Sequence, residues 1–195
     1  MPQLWAQTVA AHRAEVREAI LDAAGELVRR RGLLAISMSE IAAAADIGRP
    51  TLYKYFADVD HVVAAWHERQ VGAHLAELAA VRDQPGDSGD RLRAVCLAYG
   101  RICHQRRQHG EAGLSAALHR HQSIDESQAQ LVGIFADLIS EAADADAVRR
   151  DVPPGELAVY CLSALEAGRI AATQPALDRL VELVWTSLAA PRDVA

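Results

Sequence analysis

The stretch from Ser37 to Phe56 reads SMSEIAAAADIGRPTLYKYF, and few folds can accommodate it. Ser37 followed by Glu40 has the form of a capping box. The serine oxygen can accept from the Glu40 N–H while the carboxylate reaches back to the Ser37 N–H. A short helix is therefore expected from Met38 to about Ala44. Asp46-Ile47-Gly48 reads as a tight turn, because aspartate tolerates the left-handed conformation better than most residues. Gly48 is acceptable at an N-cap, and Pro50 falls in a first helical turn, where N–H groups lack intrahelical partners anyway. A second short helix is thus expected from Arg49 to Tyr55, ending near Phe56. Leu52 and Phe56, four apart, face inward and leave Arg49, Thr51, Tyr53, Lys54 and Tyr55 as a donor-rich outer face. Two short helices joined by a tight turn, the second too short to build a core, form the pattern of a helix-turn-helix. Its second helix enters the major groove, with its first turn at base edges and flanking groups on phosphates.

The flanking sequence is helical throughout. Alanine and leucine dominate and β-branched runs are scarce, which favours helices because alanine loses least entropy there. From about Val9 to Arg31, apolar residues at Val16, Ile20, Ala23, Ala24, Leu27 and Val28 follow three-four spacing, with Gly25 a weak point inside the run. Arg29, Arg30 and Arg31 complement the negative end of that helix dipole, and Gly32 suits a left-handed C-terminal residue. Asp58 reads as the N-cap of a long helix through Val62, Val63, Trp66, Val71, Leu75 and Leu78. Residues 82–90, RDQPGDSGD, read as a linker. Helices are expected near 90–108, 111–121 and 124–147, then a break at 149–156. Two final helices are expected, separated by Gln174-Pro175. Their apolar sets match in spacing: Leu157, Tyr160, Cys161, Ala164, Leu165 and Gly168, then Leu177, Leu180, Val181, Val184, Trp185 and Leu188. The fold class is all-α: an N-terminal three-helix helix-turn-helix domain over residues 1–57 and a C-terminal helical domain over residues 58–195.

The N-terminal pattern, RRRG, SMSE, IAAAA, DIG and TLYKYF, resembles the TetR family of transcriptional regulators over about residues 13 to 66. Beyond that region, helix count, length and order match. The resemblance implies an all-α homodimer with a C-terminal domain that binds a small-molecule effector and dimerises through its last two helices. It implies that Tyr53 and Lys54 bind backbone phosphates, that Arg49 and Thr51 lie near bases or phosphates, and that Ser39 touches the DNA backbone. The partner would be a near-palindromic double-stranded operator, and the mode of action repression relieved by an organic ligand, with no cofactor. Three positions depart from the family pattern: Asp46 replaces a glycine in the turn, Gly48 replaces a serine cap, and Val59 stands where a lysine is common. On the same grounds the dimer interface is expected to comprise Leu157, Cys161, Ala164, Leu165, Gly168, Leu177, Val181, Val184 and Trp185, with Gly168 and nearby alanines permitting close approach.

Charge and composition narrow the alternatives. A formal net charge of −6 argues against a wholly basic coat for nucleic acid but not against local basic clusters. Lys54 is the sole lysine. Cys96, Cys103 and Cys161 contain no C-x-x-C pair and read as reduced, mostly buried thiols. No apolar run is long enough to cross a bilayer and the N-terminal residues lack signal-peptide order, so a cytoplasmic protein is expected. Small residues beside a few large ones in the middle helices suit an apolar cavity, with Trp66, Tyr99, Cys103, Leu118, His121 and Phe135 as candidate wall residues. Two other readings compete. The first is a metal-responsive regulator using the His and Cys residues of 103–121, although His119 and His121 point to different faces of a helix. The second is a helical dimerisation protein that does not bind DNA, which leaves TLYKYF unexplained. No G-x-S-x-G elbow, P-loop or H-E-x-x-H motif is present, and an enzyme is not expected.

Overall fold

The computed structural model describes residues 2–32, 35–108 and 123–189. These form eight α-helices: α1 (Pro2–Arg31), α2 (Met38–Ala44), α3 (Arg49–Leu52), α4 (Val59–Arg82), α5 (Ser88–Gln108), α6 (Ser123–Asp144), α7 (Pro154–Leu165) and α8 (Gln174–Leu188). A 3-10 turn, Glu166–Ile170, continues α7. The sole β-type pairing among the described residues is one bridge between Val148 and Ala189. The class is all-α, as expected. The helix expected near residues 111–121, with Leu118 and His121, lies outside the described residues. None of the described helices is long and apolar enough to cross a membrane.

By internal contacts the chain divides into two compact units, one running to Gln70 and the other starting at Val71. The division falls inside α4, whereas the boundary drawn from sequence, between residues 57 and 58, falls at the start of that helix.

In the first unit, α1 contributes Ile20, Leu21, Ala24 and Val28 to a core completed by Met38, Ile41, Leu52, Phe56, Val62, Val63 and Trp66. Gly25 is not a weak point in α1. A Cβ there would lie 2.4 Å from Nε1 of Trp66, so glycine is what lets the indole lie against the helix. Arg69 on α4 reaches back to α1, bonding Glu18 at 2.6 Å and Asp22 at 2.8 Å. Gly32 has φ +78, and its N–H bonds the Val28 carbonyl at 2.8 Å, closing α1 with a left-handed residue as expected.

In the second unit, α5, α6, α7 and α8 pack around Leu92, Cys96, Tyr99, Phe135, Leu138, Cys161, Leu165, Leu177 and Val181. The rings of Tyr99 and Phe135 meet edge to face, with centroids 5.7 Å apart. The linker is shorter than expected: α5 starts at Ser88, and Asp87 caps it by accepting from the Gly89 N–H at 2.8 Å. Gln174-Pro175 does not separate the last two helices; it opens the second. Thr173 is the N-cap and accepts from the Ala176 N–H at 3.3 Å, and Pro175 occupies the first turn, where its missing N–H costs nothing. Arg150 donates to the Ala143 and Asp144 carbonyls at 2.7 and 3.1 Å, satisfying groups that the end of α6 leaves unpaired.

Candidate nucleic-acid interface

The helix-turn-helix is assembled by local bonds. Ser37 has extended backbone and accepts from the Glu40 N–H at 3.4 Å, while its hydroxyl donates to the Glu40 carboxylate at 2.7 Å. Arg31 donates to the other Glu40 oxygen at 2.6 Å. The serine hydroxyl, followed by the Arg31 charge, holds the Glu40 carboxyl below its ordinary pKa.

The turn that replaces the family glycine with Asp46 is a complete Schellman motif. Asp46 has φ +53, its N–H bonds the Ala43 carbonyl at 3.3 Å, and the Ile47 N–H bonds the Ala42 carbonyl at 3.0 Å. Gly48 is then the N-cap of α3, in extended conformation and without a side-chain cap bond, with Pro50 in the first turn.

The second helix is shorter than expected. Regular α structure ends at Leu52, and the chain tightens: the Lys54 N–H bonds the Thr51 carbonyl at 3.0 Å and the Tyr55 N–H bonds the Leu52 carbonyl at 2.9 Å. These are bonds of 3-10 type and bring Phe56 back to the core. The inward pair behaves as expected, Leu52 being wholly buried and Phe56 nearly so. Ser39, Arg49, Tyr53 and Lys54 are exposed; Thr51 and Tyr55 are half-buried. Asp58 caps α4, accepting from the His61 N–H at 3.0 Å and contacting its ring at 2.8 Å. The His61 hydrogen bonds lower the Asp58 pKa.

A census of cations separates the basic residues of this unit into two sets. Arg29 and Arg30 both bond Glu26, the latter at 2.5 Å, and Arg31 bonds Glu40, so the basic run that ends α1 is neutralised internally. Those bonds, first from Arg29 and then from Arg30, hold the Glu26 carboxyl below its ordinary pKa. Arg13, Arg49 and Lys54 have no carboxylate partner among the described residues. An exposed arginine and lysine on a donor-rich turn, without internal counter-charge, can take a polyanion without first breaking an ion pair.

Helix patterning alone does not single out Arg13 and Arg17 on α1. The Arg13 guanidinium lies 6.0 Å from the Tyr55 ring centroid, and that of Arg17 lies 5.5 Å from that of Phe56. Spacing separates Arg29 and Arg30, which have Glu26 three and four positions away, from Arg13, Arg17 and Arg31, which have no acidic residue at those spacings, but it does not choose among the last three.

Other candidate residues are distributed as follows. Trp66 belongs to the first unit's core, and Tyr99, Cys103 and Phe135 to the second's. Burial raises the Cys161 thiol to about 12, and burial followed by the nearby Cys161 raises that of Cys96 further. Both are inert thiols at neutral pH. For the metal reading, His109, His119 and His121 lie outside the described residues. Among the described residues no group of three His, Cys, Asp or Glu side chains could hold an ion. The His104 ring meets the Gly168 carbonyl at 3.3 Å.

The residues expected at a dimer interface face their own chain. Leu157, Cys161, Leu165, Gly168, Leu177, Val181 and Val184 are buried, and Ala164 and Trp185 pack partly buried against the same core. Gly168 does permit close approach, but to α8 and α5 of its own chain. A Cβ there would stand 2.9 Å from Leu177 Cδ1 and 3.2 Å from the Gly100 carbonyl oxygen. The outer faces of these elements instead expose Val159, Tyr160, Ile170 and Leu183. An apolar stripe has the same period whichever chain covers it, so spacing could not assign the face.

Comparison with known proteins bears on this geometry. Residues 20–65 match the sequence model of "Bacterial regulatory proteins, tetR family". The fold is similar to a TetR/AcrR-family transcriptional regulator from Thermobifida fusca, at 22% identity and TM-score 0.74, covering 87% of this chain and 94% of that one. It is also similar to a tetR-family regulatory protein from Rhodococcus, at 19% identity and TM-score 0.71, covering 91% and 98%. A third similar structure is the regulator FadR from Bacillus subtilis in complex with stearoyl-CoA, at 14% identity and TM-score 0.70, covering 88% and 98%. A comparison with curated proteins gives no significant match. Residues 20–65 thus match the tetR-family sequence model, and the fold as a whole is similar to that of TetR/AcrR-family transcriptional regulators of known structure.

Proposed function

We propose that the chain is a homodimeric repressor that binds a near-palindromic operator through α2, α3 and the turn that follows, and leaves it when a small organic ligand binds. The observation that carries this reading is the placement of Arg49 and Lys54. They are exposed and without internal counter-charge, on a segment locked in place by buried Leu52 and Phe56. Tyr53, 48% exposed, and Lys54 supply phosphate contacts; Arg49 and Thr51, at the N-terminal turn of α3, face the groove; Ser39 on α2 meets the backbone.

An organic effector is favoured because a protein of the same fold, FadR of Bacillus subtilis, was solved with stearoyl-CoA. Tyr99, Cys103 and Phe135 stand in the apolar interior of the second unit and are the candidate residues for its contacts. Since α4 runs through both units, a ligand that prefers one placement of α4 by ~1–3 kcal/mol would suffice to change operator affinity. The partner surface for dimerisation is the outer stripe with Val159, Tyr160 and Leu183.

Electrophoretic mobility shift with duplexes selected by the protein from a randomised library tests the reading. A specific shift should weaken for all sequences in Tyr53→Phe and Lys54→Ala, and change its preference among sequences in Arg49→Ala and Thr51→Ala. Failure of the wild-type protein to select any duplex would exclude operator binding.

A further inference from the structure

We propose that Arg13, on α1, is a phosphate-binding residue of the DNA interface, and that Tyr55 is the platform that positions it. This inference rests on the operator-binding reading above and extends it to a helix outside the helix-turn-helix. Three observations converge on Arg13. It is exposed on α1. It has no carboxylate partner among the described residues, although this chain neutralises Arg29, Arg30, Arg31 and Arg69 with acidic side chains. Its guanidinium lies 6.0 Å from the Tyr55 ring centroid, and Tyr55 directly follows Lys54.

A cation–π contact and phosphate binding can be made together by one guanidinium. Its charge lies over the Tyr55 ring, at 6.0 Å from the centroid, and its N–H donors stay available for two phosphate oxygens. An arginine held near a ring has given up some side-chain freedom before DNA arrives, so less is lost on binding. Arg17 makes the same kind of contact with Phe56 but differs in charge environment. It sits 3.8 Å from a Glu18 carboxylate, and its ring partner is buried. Arg17 therefore covers the core edge, and Arg13 faces the polyanion. Tyr55, expected from sequence as one of the donors on the DNA-facing side, acts here through its ring.

The test is the salt dependence of affinity for duplexes that the wild-type protein selects from a randomised library. Wild type is compared with Arg13→Gln, Tyr55→Leu and Tyr55→Phe, each checked for an unchanged melting temperature. Losing one phosphate contact lowers the slope of log affinity against log salt by about 0.9 per half-site. Arg13→Gln should show that loss, Tyr55→Leu should show part of it, and Tyr55→Phe, which keeps the ring, should restore the wild-type slope. An unchanged slope in Arg13→Gln overturns the assignment of Arg13. A loss in Tyr55→Phe equal to that in Tyr55→Leu overturns the platform and returns the contact to the tyrosine hydroxyl. If Tyr55→Leu melts lower than wild type, Arg13→Gln and Tyr55→Phe decide the matter between them. A wild-type protein that selects no duplex overturns the operator-binding reading itself, a result distinct from either of these.

Discussion

A methyl group at position 25 would sit 2.4 Å from Nε1 of Trp66, a distance no pair of non-bonded atoms sustains. Alanine gains about 1 kcal/mol over glycine in a helix interior, while overpacking a core costs about 1–3 kcal/mol. Gly25→Ala should therefore lower the thermal midpoint of the protein in spite of its better helix propensity, as followed by circular dichroism. A raised midpoint would mean that Trp66 repacks without cost. The same scale shows that the conspicuous arginine run is neutralised within the chain. Arg29 and Arg30 are three and four residues from Glu26, and Arg31 reaches Glu40, so each carries its own counter-charge. The modest-looking Arg49 and Lys54 carry none among the described residues. Both Glu26 and Glu40 titrate below the ordinary carboxylate value of 4.5 in the folded chain. A lowered folded pKa gives stability that is present above the unfolded value and lost as pH falls through the folded one. The difference in melting temperature between wild type and Glu40→Gln should accordingly hold at neutral pH and shrink as the pH is taken below about 4.5.

At the scale of elements, two helices end by the same device. Asp46 closes α2 with φ +53 and Asp146 closes α6 with φ +59, each followed by a bond from the next N–H to a carbonyl five residues back: Ile47 to Ala42, and Ala147 to Ala142. Aspartate adopts this conformation at some cost and glycine at none. Asp46→Gly should leave DNA affinity intact and raise stability by up to about 1 kcal/mol, whereas Asp46→Val should lower it by about 1–2 kcal/mol, both measured by denaturant unfolding. The Asp46 turn, the Ser37 cap, the Asp58 cap and the Gly48-Pro50 start of α3 were all legible in the sequence, because each is decided by residues within one turn of it; the Asp146 closure was not read there. The faces of α7 and α8 were not. Leu157, Cys161, Val181 and Val184 repeat with helical period, and that period does not say whether α5 or a second chain covers them. Nor could spacing place Trp66 against Gly25, a contact between residues far apart in the chain. At Gln174-Pro175 the local signal was ambiguous, since proline after a break opens a helix as readily as it ends one.

At the scale of the whole molecule, the central question is which surfaces remain for partners once each unit has buried its own apolar residues. Val159, Tyr160 and Leu183 are between 47% and 69% exposed on α7 and α8, which the second unit does not cover. Tyr160→Asp with Leu183→Asp should give a folded monomer by light scattering and circular dichroism. Val184→Asp places a charge in the unit's own core, next to no partner, and should unfold it. A folded monomer from Val184→Asp would return the interface to the inner face. Loss of the dimer should weaken operator binding steeply, since two half-sites are then no longer held together. The claim on which the rest depends is that Lys54 meets phosphate while the arginines of the α1 terminus do not. It is tested most directly by the salt dependence of duplex affinity in Lys54→Ala set beside Arg30→Gln. The predicted result is a slope lower by about 0.9 per half-site for Lys54→Ala and unchanged for Arg30→Gln. An unchanged slope for Lys54→Ala, or an equal loss in both, would contradict it.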